Sequence, residues 1–241
     1  MAALTALALS PAVRAQSYCA SDGQPAPTAL VERFISADCE SCWARADAGP
    51  PAGALVIDWI VPSARGDEAP LSAAASTDAV ARLRATGQTE PGDSATLLRQ
   101  TPVRKADATA RLRVAHGLPL NNYLGASIEL KPVPKGARAP AAPWTAWLAL
   151  VETIGAGTEG TPVARHLVRN LLVQDWDPAR AAPAAEPPPK GRSPVPRLFE
   201  SRPMGIPEGA RPERLQVVGW VQDATGRVVA AAQSRCIPSK P

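Results

Sequence analysis

Proline occupies 27 of the 241 positions, and that density narrows the folds open to the chain. Inside a helix a proline removes a hydrogen bond and clashes with the preceding turn. Inside a sheet it is confined to edges and strand ends. Long loops, extended edges and few long helices follow. Hydrophobic residues still make up 45%, enough for the core of one large domain or two small ones. Six of the few aromatic residues are Trp, which gives no Tyr/Phe platform for stacking bases. The net charge of +4 comes from scattered basic residues with no block of one sign, so no nucleic-acid partner is expected.

The first residues read as an export signal. Met1–Val13 is small and apolar, and Val13-Arg14-Ala15 places small residues at the two cleavage-determining positions. A signal peptide over residues 1–15 leaves Gln16 as the new start. The run is too short to span a bilayer and no later stretch qualifies, so no membrane span is expected. Cys19 follows Ser17-Tyr18, not the small pair that precedes a lipidated cysteine. The expected location is periplasmic or secreted, where disulfides persist. Four cysteines allow three pairings. The favoured one joins Cys39 to Cys42 and leaves Cys19 for Cys236, a structural disulfide that closes nearly the whole chain.

Along the chain, Thr28–Ser36 is an apolar strand that delivers Cys39-Glu40-Ser41-Cys42. Cys42–Ala48 has room for about two helical turns before Gly49-Pro50-Pro51 stops it. Ala54–Val61 is continuously apolar, as in a strand covered on both faces. Leu71–Thr86 has helical spacing, with Ser76 or Thr77 as cap and Gly87 as stop. Ala95–Val103 is extended and carries Thr101-Pro102. Asp107–Val114 and Tyr123–Leu130 are weaker segments. Trp144–Thr153, Val163–Val173 and Leu215–Ala231 read as strands, the last a hairpin with an Asp-x-x-Gly turn. Asp177–Pro196 is a Pro/Ala-rich excursion.

Strand, Cys-x-x-Cys, helix, strand, helix, then an extended Thr-Pro is the order of a thioredoxin-like domain. The expected fold class is therefore α/β. A thioredoxin-like domain covers 28–130, and a β-rich C-terminal part, 131–241, packs on it. Val31-Glu-Arg-Phe-Ile-Ser-Ala-Asp-Cys-Glu-Ser-Cys resembles the opening of an exported bacterial family called domain of unknown function 1223. That family reads approximately Val-Glu-Leu-Phe-Thr-Ser-x-x-Cys-x-x-Cys. The resemblance implies a thioredoxin-type fold with added β structure. It also maps the family's Thr-Pro, read as a cis-proline position, onto Thr101-Pro102. Trp43 follows the second cysteine where the family has prolines, and Val103 stands where it has Gln.

The chemistry expected of such a pair is thiol–disulfide exchange on envelope or secreted proteins that carry thiols. Cys39 would attack, its thiolate stabilised by the helix N-terminus, and Cys42 would resolve. Asp38 and Glu40 oppose ionisation of the thiol. Thr101 and Pro102 would align the incoming chain. The competing reading is a non-catalytic envelope binding or structural protein with a fixed Cys39–Cys42 disulfide. A third would have the two sulfurs hold Cu(I). No resident cofactor or metal is assigned. His116 and His166 sit in apolar or turn contexts and are read as structural. Gly155-x-Gly157-x-x-Gly160 is followed by Thr161-Pro162 instead of a helix, so it is read as a turn and not a phosphate loop. No Gly-x-Ser-x-Gly nucleophile elbow occurs. Trp144, Trp147, Trp176 and Trp220 are read as sheet-packing residues.

Overall fold

The computed structural model describes residues 18–46, 49–105, 108–134, 143–183 and 195–236. The expected signal peptide, 1–15, lies outside the described residues, as does 184–194 in the Pro/Ala-rich excursion. The N-terminal elements are β1 (Cys19–Ala20), β2 (Ala29–Ser36), α1 (Glu40–Trp43), β3 (Ala54–Val61), α2 (Thr77–Ala85) and β4 (Thr96–Pro102). Among the described residues no α-helix follows: next come β5 (Arg111–His116), β6 (Tyr123–Lys131), β7 (Trp144–Ile154), β8 (Arg165–Trp176) and β9 (Ala182–Pro183). The chain ends with β10 (Pro196–Gly205), β11 (Leu215–Gln222), β12 (Val228–Gln233) and β13 (Arg235–Cys236).

The strands form two sheets. A seven-stranded sheet runs β12-β11-β7-β8-β3-β2-β4, and a six-stranded sheet runs β13-β1-β5-β6-β10-β9. Pairing is antiparallel except β2 with β3 and β3 with β8. The parallel β2–β3 pair needs a crossover, and the Cys-x-x-Cys segment with α1 lies in it.

Alternation along β7 shows how the layers meet. Trp144, Ala146, Leu148 and Leu150 enter one buried cluster with Val114, Leu124 and Ile128 of the smaller sheet. Trp147, Ala149 and Val151 enter another, with Leu83 of α2 and Trp59 of β3. The strand is apolar at nearly every position because both faces are covered. Trp147 and Trp220 stack at 5.7 Å between ring centroids, and Phe34 and Trp59 at 5.8 Å.

The α/β thioredoxin-like expectation is corrected here. The described residues form a β-rich fold of two sheets with only two α-helices, one of them four residues long. The large sheet does not close after β4. β8 pairs with β3, and β7, β11 and β12 extend the sheet. The smaller sheet, not a helical layer, covers the β7–β11 half on one face. Both sheets draw strands from either side of residues 130–131. The physical reason is the proline density and the apolar, strand-forming runs after Thr96 that are covered on both faces, as in β7 and β11, which leave α2 as the one longer helix among the described residues.

Local details follow their residues. Ser76 caps α2 by accepting from the Asp78 amide at 3.0 Å, and Gly87 ends it at φ +66°. The helix is shorter than Leu71–Thr86; its first part is a separate 3₁₀ turn, Ser72–Ala74. Asp223 closes the β11–β12 turn, accepting from the Thr225 and Arg227 amides. Burial pushes its carboxyl up, and the hydrogen bonds from Thr225 and Arg227 outweigh that, leaving it below the usual aspartate range. Pro203 sits within β10 at a stretch where, among the described residues, no strand pairs on the outer side: β9 meets only Pro196 and Arg197.

Gly219 of β11 lies where the two sheets approach closely. A Cβ there would lie 2.6 Å from Val114 Cγ1 and 2.9 Å from Ile128 Cδ1. Gly219→Ala is therefore expected to destabilise the fold by about 1–3 kcal/mol through overpacking. A lower urea midpoint with an unchanged m-value would show this; an unchanged midpoint would mean that the sheets can part freely.

Candidate functional site

The site begins where β2 ends. Cys39 and Cys42 are joined as a disulfide. The Cys42 amide donates to Cys39 Sγ at 3.2 Å, so the first cysteine also caps α1. The helix spans Glu40–Trp43, one turn instead of the expected two over Cys42–Ala48; residues 47–48 lie outside the described residues.

Both cysteines are buried, Cys39 at 2% exposure and Cys42 at 1%. They belong to a small cluster with Ile35, Ala37, Ile60, Ala69, Ile154 and Leu167. Trp43 packs in the same cluster and is nearly buried itself. Its indole N–H donates to the Glu159 carbonyl at 2.8 Å. That carbonyl is offered by the turn around Gly155–Thr161, in which Gly157, Glu159 and Gly160 all have positive φ. The Gly-x-Gly-x-x-Gly letters thus serve a turn that clasps Trp43. Glu159 is in turn ion-paired with Arg214.

Arg165, fully buried at the start of β8, holds the segment from behind. Its guanidinium donates to the carbonyls of Cys42 at 3.2 Å, Trp43 at 2.8 Å and Arg45 at 3.0 Å. Its Nε donates to Thr161 Oγ1 at 3.1 Å, and the guanidinium lies 5.4 Å from the Trp43 ring centroid. One side chain therefore satisfies the carbonyl end of a helix too short to satisfy itself. Asp58 stands 3.7 Å from Arg165 and makes a closer pair with Arg33, its register partner across β2–β3. Asp58 also accepts from the His166 amide at 2.6 Å. Burial lowers the His166 pKa; Asp58 opposes that and Arg33 adds to it.

A second buried network lies under α2. Arg82 is fully buried, donates to both oxygens of Glu32 at 2.7 and 2.9 Å and to Gln222 at 2.8 Å, and sits 4.4 Å from the Trp147 ring centroid. Arg99 reaches the same Glu32 carboxylate at 2.7 Å. Sequence reading did not single out these residues or Arg165. The available signal was Glu32-Arg33 and Asp58, charged residues in the middle of two strands otherwise apolar.

The remaining expected site residues lie elsewhere. Pro102 pairs with Ala29 and Thr101 with Leu30, at the end of β2 remote from the cysteines. From Ala29 to Ile35 the strand runs about 20 Å at ~3.3 Å per residue. Among the described residues the cis peptide is Lys131–Pro132, so Thr101–Pro102 is trans. These two residues do not join the site, because β4 runs antiparallel to β2 and meets the cysteine end with Thr96 instead. Cys19 and Cys236 form the second disulfide, between register partners on β1 and β13. His116 stands opposite Cys19 on β5. Burial lowers its pKa, opposed by its contact with the Gly117 carbonyl.

Two openings flank this framework. A cavity of about 300 Å³ lies beside Trp43, lined also by Leu71, Glu152 and Arg169. A cleft of about 610 Å³ is lined by Lys105, Arg111, Arg113 and Lys131 with Asp22 and Glu129, and by no residue of the Cys39–Cys42 segment.

No family model matches the chain. No curated protein matches it either. Among solved structures it is similar to HBP35 of Porphyromonas gingivalis, at 14% identity and a TM-score of 0.49, over 91% of this chain and 82% of that one. Among the described residues no helix is long and apolar enough to cross a membrane.

Proposed function

We propose that this is a non-catalytic binding or structural protein of the periplasm or cell exterior, in which Cys39–Cys42 is a fixed staple. The observation that carries this reading is the burial of both cysteines beneath Trp43, with Arg165 fastened to the carbonyls behind them. Exchange requires a thiolate that a visiting disulfide can approach in line. A cysteine at 2% exposure in an apolar cluster offers no such approach. Burial in apolar surroundings also opposes thiolate formation. Two disulfides fit an oxidising compartment. The Val31–Cys42 segment keeps its likeness to the exported family of domain of unknown function 1223, and we read the chain as a divergent relative. The charged cleft of about 610 Å³ favours binding over a purely structural part.

The test is thiol reactivity in the folded protein. After mild dithiol treatment and alkylation, peptide mapping is expected to find Cys39 and Cys42 unlabelled, and insulin reduction to stay at background. Rapid labelling of Cys39 ahead of Cys42, with insulin turnover lost in Cys39→Ser, would restore the exchange reading.

A further inference from the structure

We propose that Cys19, His116 and Cys236 form a zinc(II)-type metal site that the Cys19–Cys236 disulfide masks. Three adjacent strands supply one residue each: β13 gives Cys236, β1 gives Cys19 and β5 gives His116, all at the same register position. Cross-strand partners present their side chains on the same face. The two sulfurs and a ring nitrogen all lie within 4.8 Å of one another. Tetrahedral zinc with ordinary Zn–S and Zn–N bonds needs ligand separations of about 3.5–3.8 Å.

The second observation is the histidine itself. His116 is 4% exposed, and its Nε2 is buried without a hydrogen-bond partner. Its Nδ1 lies 2.9 Å from the Gly117 carbonyl, an oxygen that can only accept. In the neutral ring the proton therefore sits on Nδ1, and Nε2 carries the lone pair. A backbone carbonyl on one nitrogen with the other turned to a metal is the usual second-shell arrangement of a zinc histidine. A buried lone pair with no donor is otherwise unfavourable. The Cys39–Cys42 pair has no comparable imidazole; its cluster is apolar.

The chemistry closes with a dithiol as reductant. It donates two electrons and two protons, breaks the Sγ–Sγ bond, leaves two thiols and itself becomes a disulfide. Zinc(II) then replaces both thiol protons, which go to solvent, and Nε2 supplies the third ligand. Water completes the shell on the side of exposed Cys236, which also gives the reductant its approach. Exchange with a small-molecule disulfide re-forms the Cys19–Cys236 bond: that disulfide takes the two electrons, picks up two protons from solvent and leaves as two thiols, and the zinc(II) ion is released. The site would thus hold metal only under reducing conditions.

The experiment uses the full chain and cobalt(II) as an optical probe for zinc. Protein reduced by mild dithiol and freed of reductant is expected to bind one equivalent of cobalt, with thiolate-to-cobalt charge-transfer bands that zinc abolishes. The oxidised protein should bind none. Zinc should protect Cys19 and Cys236 from alkylation. His116→Gln is expected to weaken zinc binding by at least about tenfold, the lower figure for losing even a second-shell partner. Because that variant could misfold, X-ray absorption on the zinc-loaded wild type is the independent reading, expected to show two sulfurs and one imidazole. Cobalt binding by the oxidised chain, protection mapped to Cys39 and Cys42, or a zinc shell without sulfur or without imidazole would each overturn the site. Unchanged zinc affinity in a folded His116→Gln protein would do the same.

Discussion

Glu32→Ala is expected to lower the free energy of unfolding by about 3–5 kcal/mol, the penalty for stranding a buried charge. Arg82 is fully buried and takes both oxygens of this carboxylate. Without Glu32 its guanidinium keeps one neutral acceptor, Gln222, and the faces of Trp147 and Trp220. Aromatic faces attract a cation by roughly 0.5–2 kcal/mol, too little to replace a desolvated carboxylate. The converse is the sharper part of the prediction. Glu32→Leu combined with Arg82→Met removes the fully buried pair and keeps apolar volume; Arg99, at 23% side-chain exposure, can turn to water and Gln222 keeps its bond to the Gly226 carbonyl, so much of the stability should return. Urea unfolding of the wild type, both single variants and the double variant measures this. A double variant as unstable as the sum of the singles would show that the pair does not act as a unit.

Arg165→Ala is expected to have a loss of similar size, about 3–5 kcal/mol, with a second consequence for the disulfide. Its guanidinium donates to the carbonyls of Cys42, Trp43 and Arg45 and to Thr161 Oγ1. Hydrogen bonds from a charged donor contribute roughly 1.5–3 kcal/mol each, and they are not additive here. Asp58 retains Arg33, so the variant does not strand that carboxylate. What is lost is the anchor under α1, together with the contact beneath the Trp43 ring. Arg165→Lys keeps the charge but not the planar fork, and should fall between wild type and alanine. In Arg165→Ala the Cys39–Cys42 disulfide should become reducible by mild dithiol under folding conditions. If stability falls while that disulfide stays protected, Arg165 supports the fold without guarding the cysteines.

Much of the local structure was legible. Thr28–Ser36, Ala54–Val61 and the Asp223–Gly226 turn follow from apolar runs and turn chemistry within a few residues. Ser76 and Gly87 delimit α2 as capping rules require. The architecture was not legible. Reading strand, cysteines, helix, strand as an α/β domain assumed that helices cover the sheet, whereas β7 is covered on one face by another sheet. Thr101-Pro102 was placed by order along the chain, and order does not say which end of a neighbouring strand it meets. The antiparallel direction of β4 put it at Ala29.

The sequence alone determined what neighbours in the chain can decide: an apolar strand leading into two cysteines three residues apart, a chain poor in helix, and tight turns at Gly and Asp. Tertiary structure decided whether the sulfurs face solvent, and which carbonyls Arg165 holds across more than a hundred residues. It also decided that Cys236, Cys19 and His116 stand in one row. The reason is physical. Backbone preference and turn geometry act over a few residues, while burial of a charge or a sulfur depends on which distant strand arrives beside it.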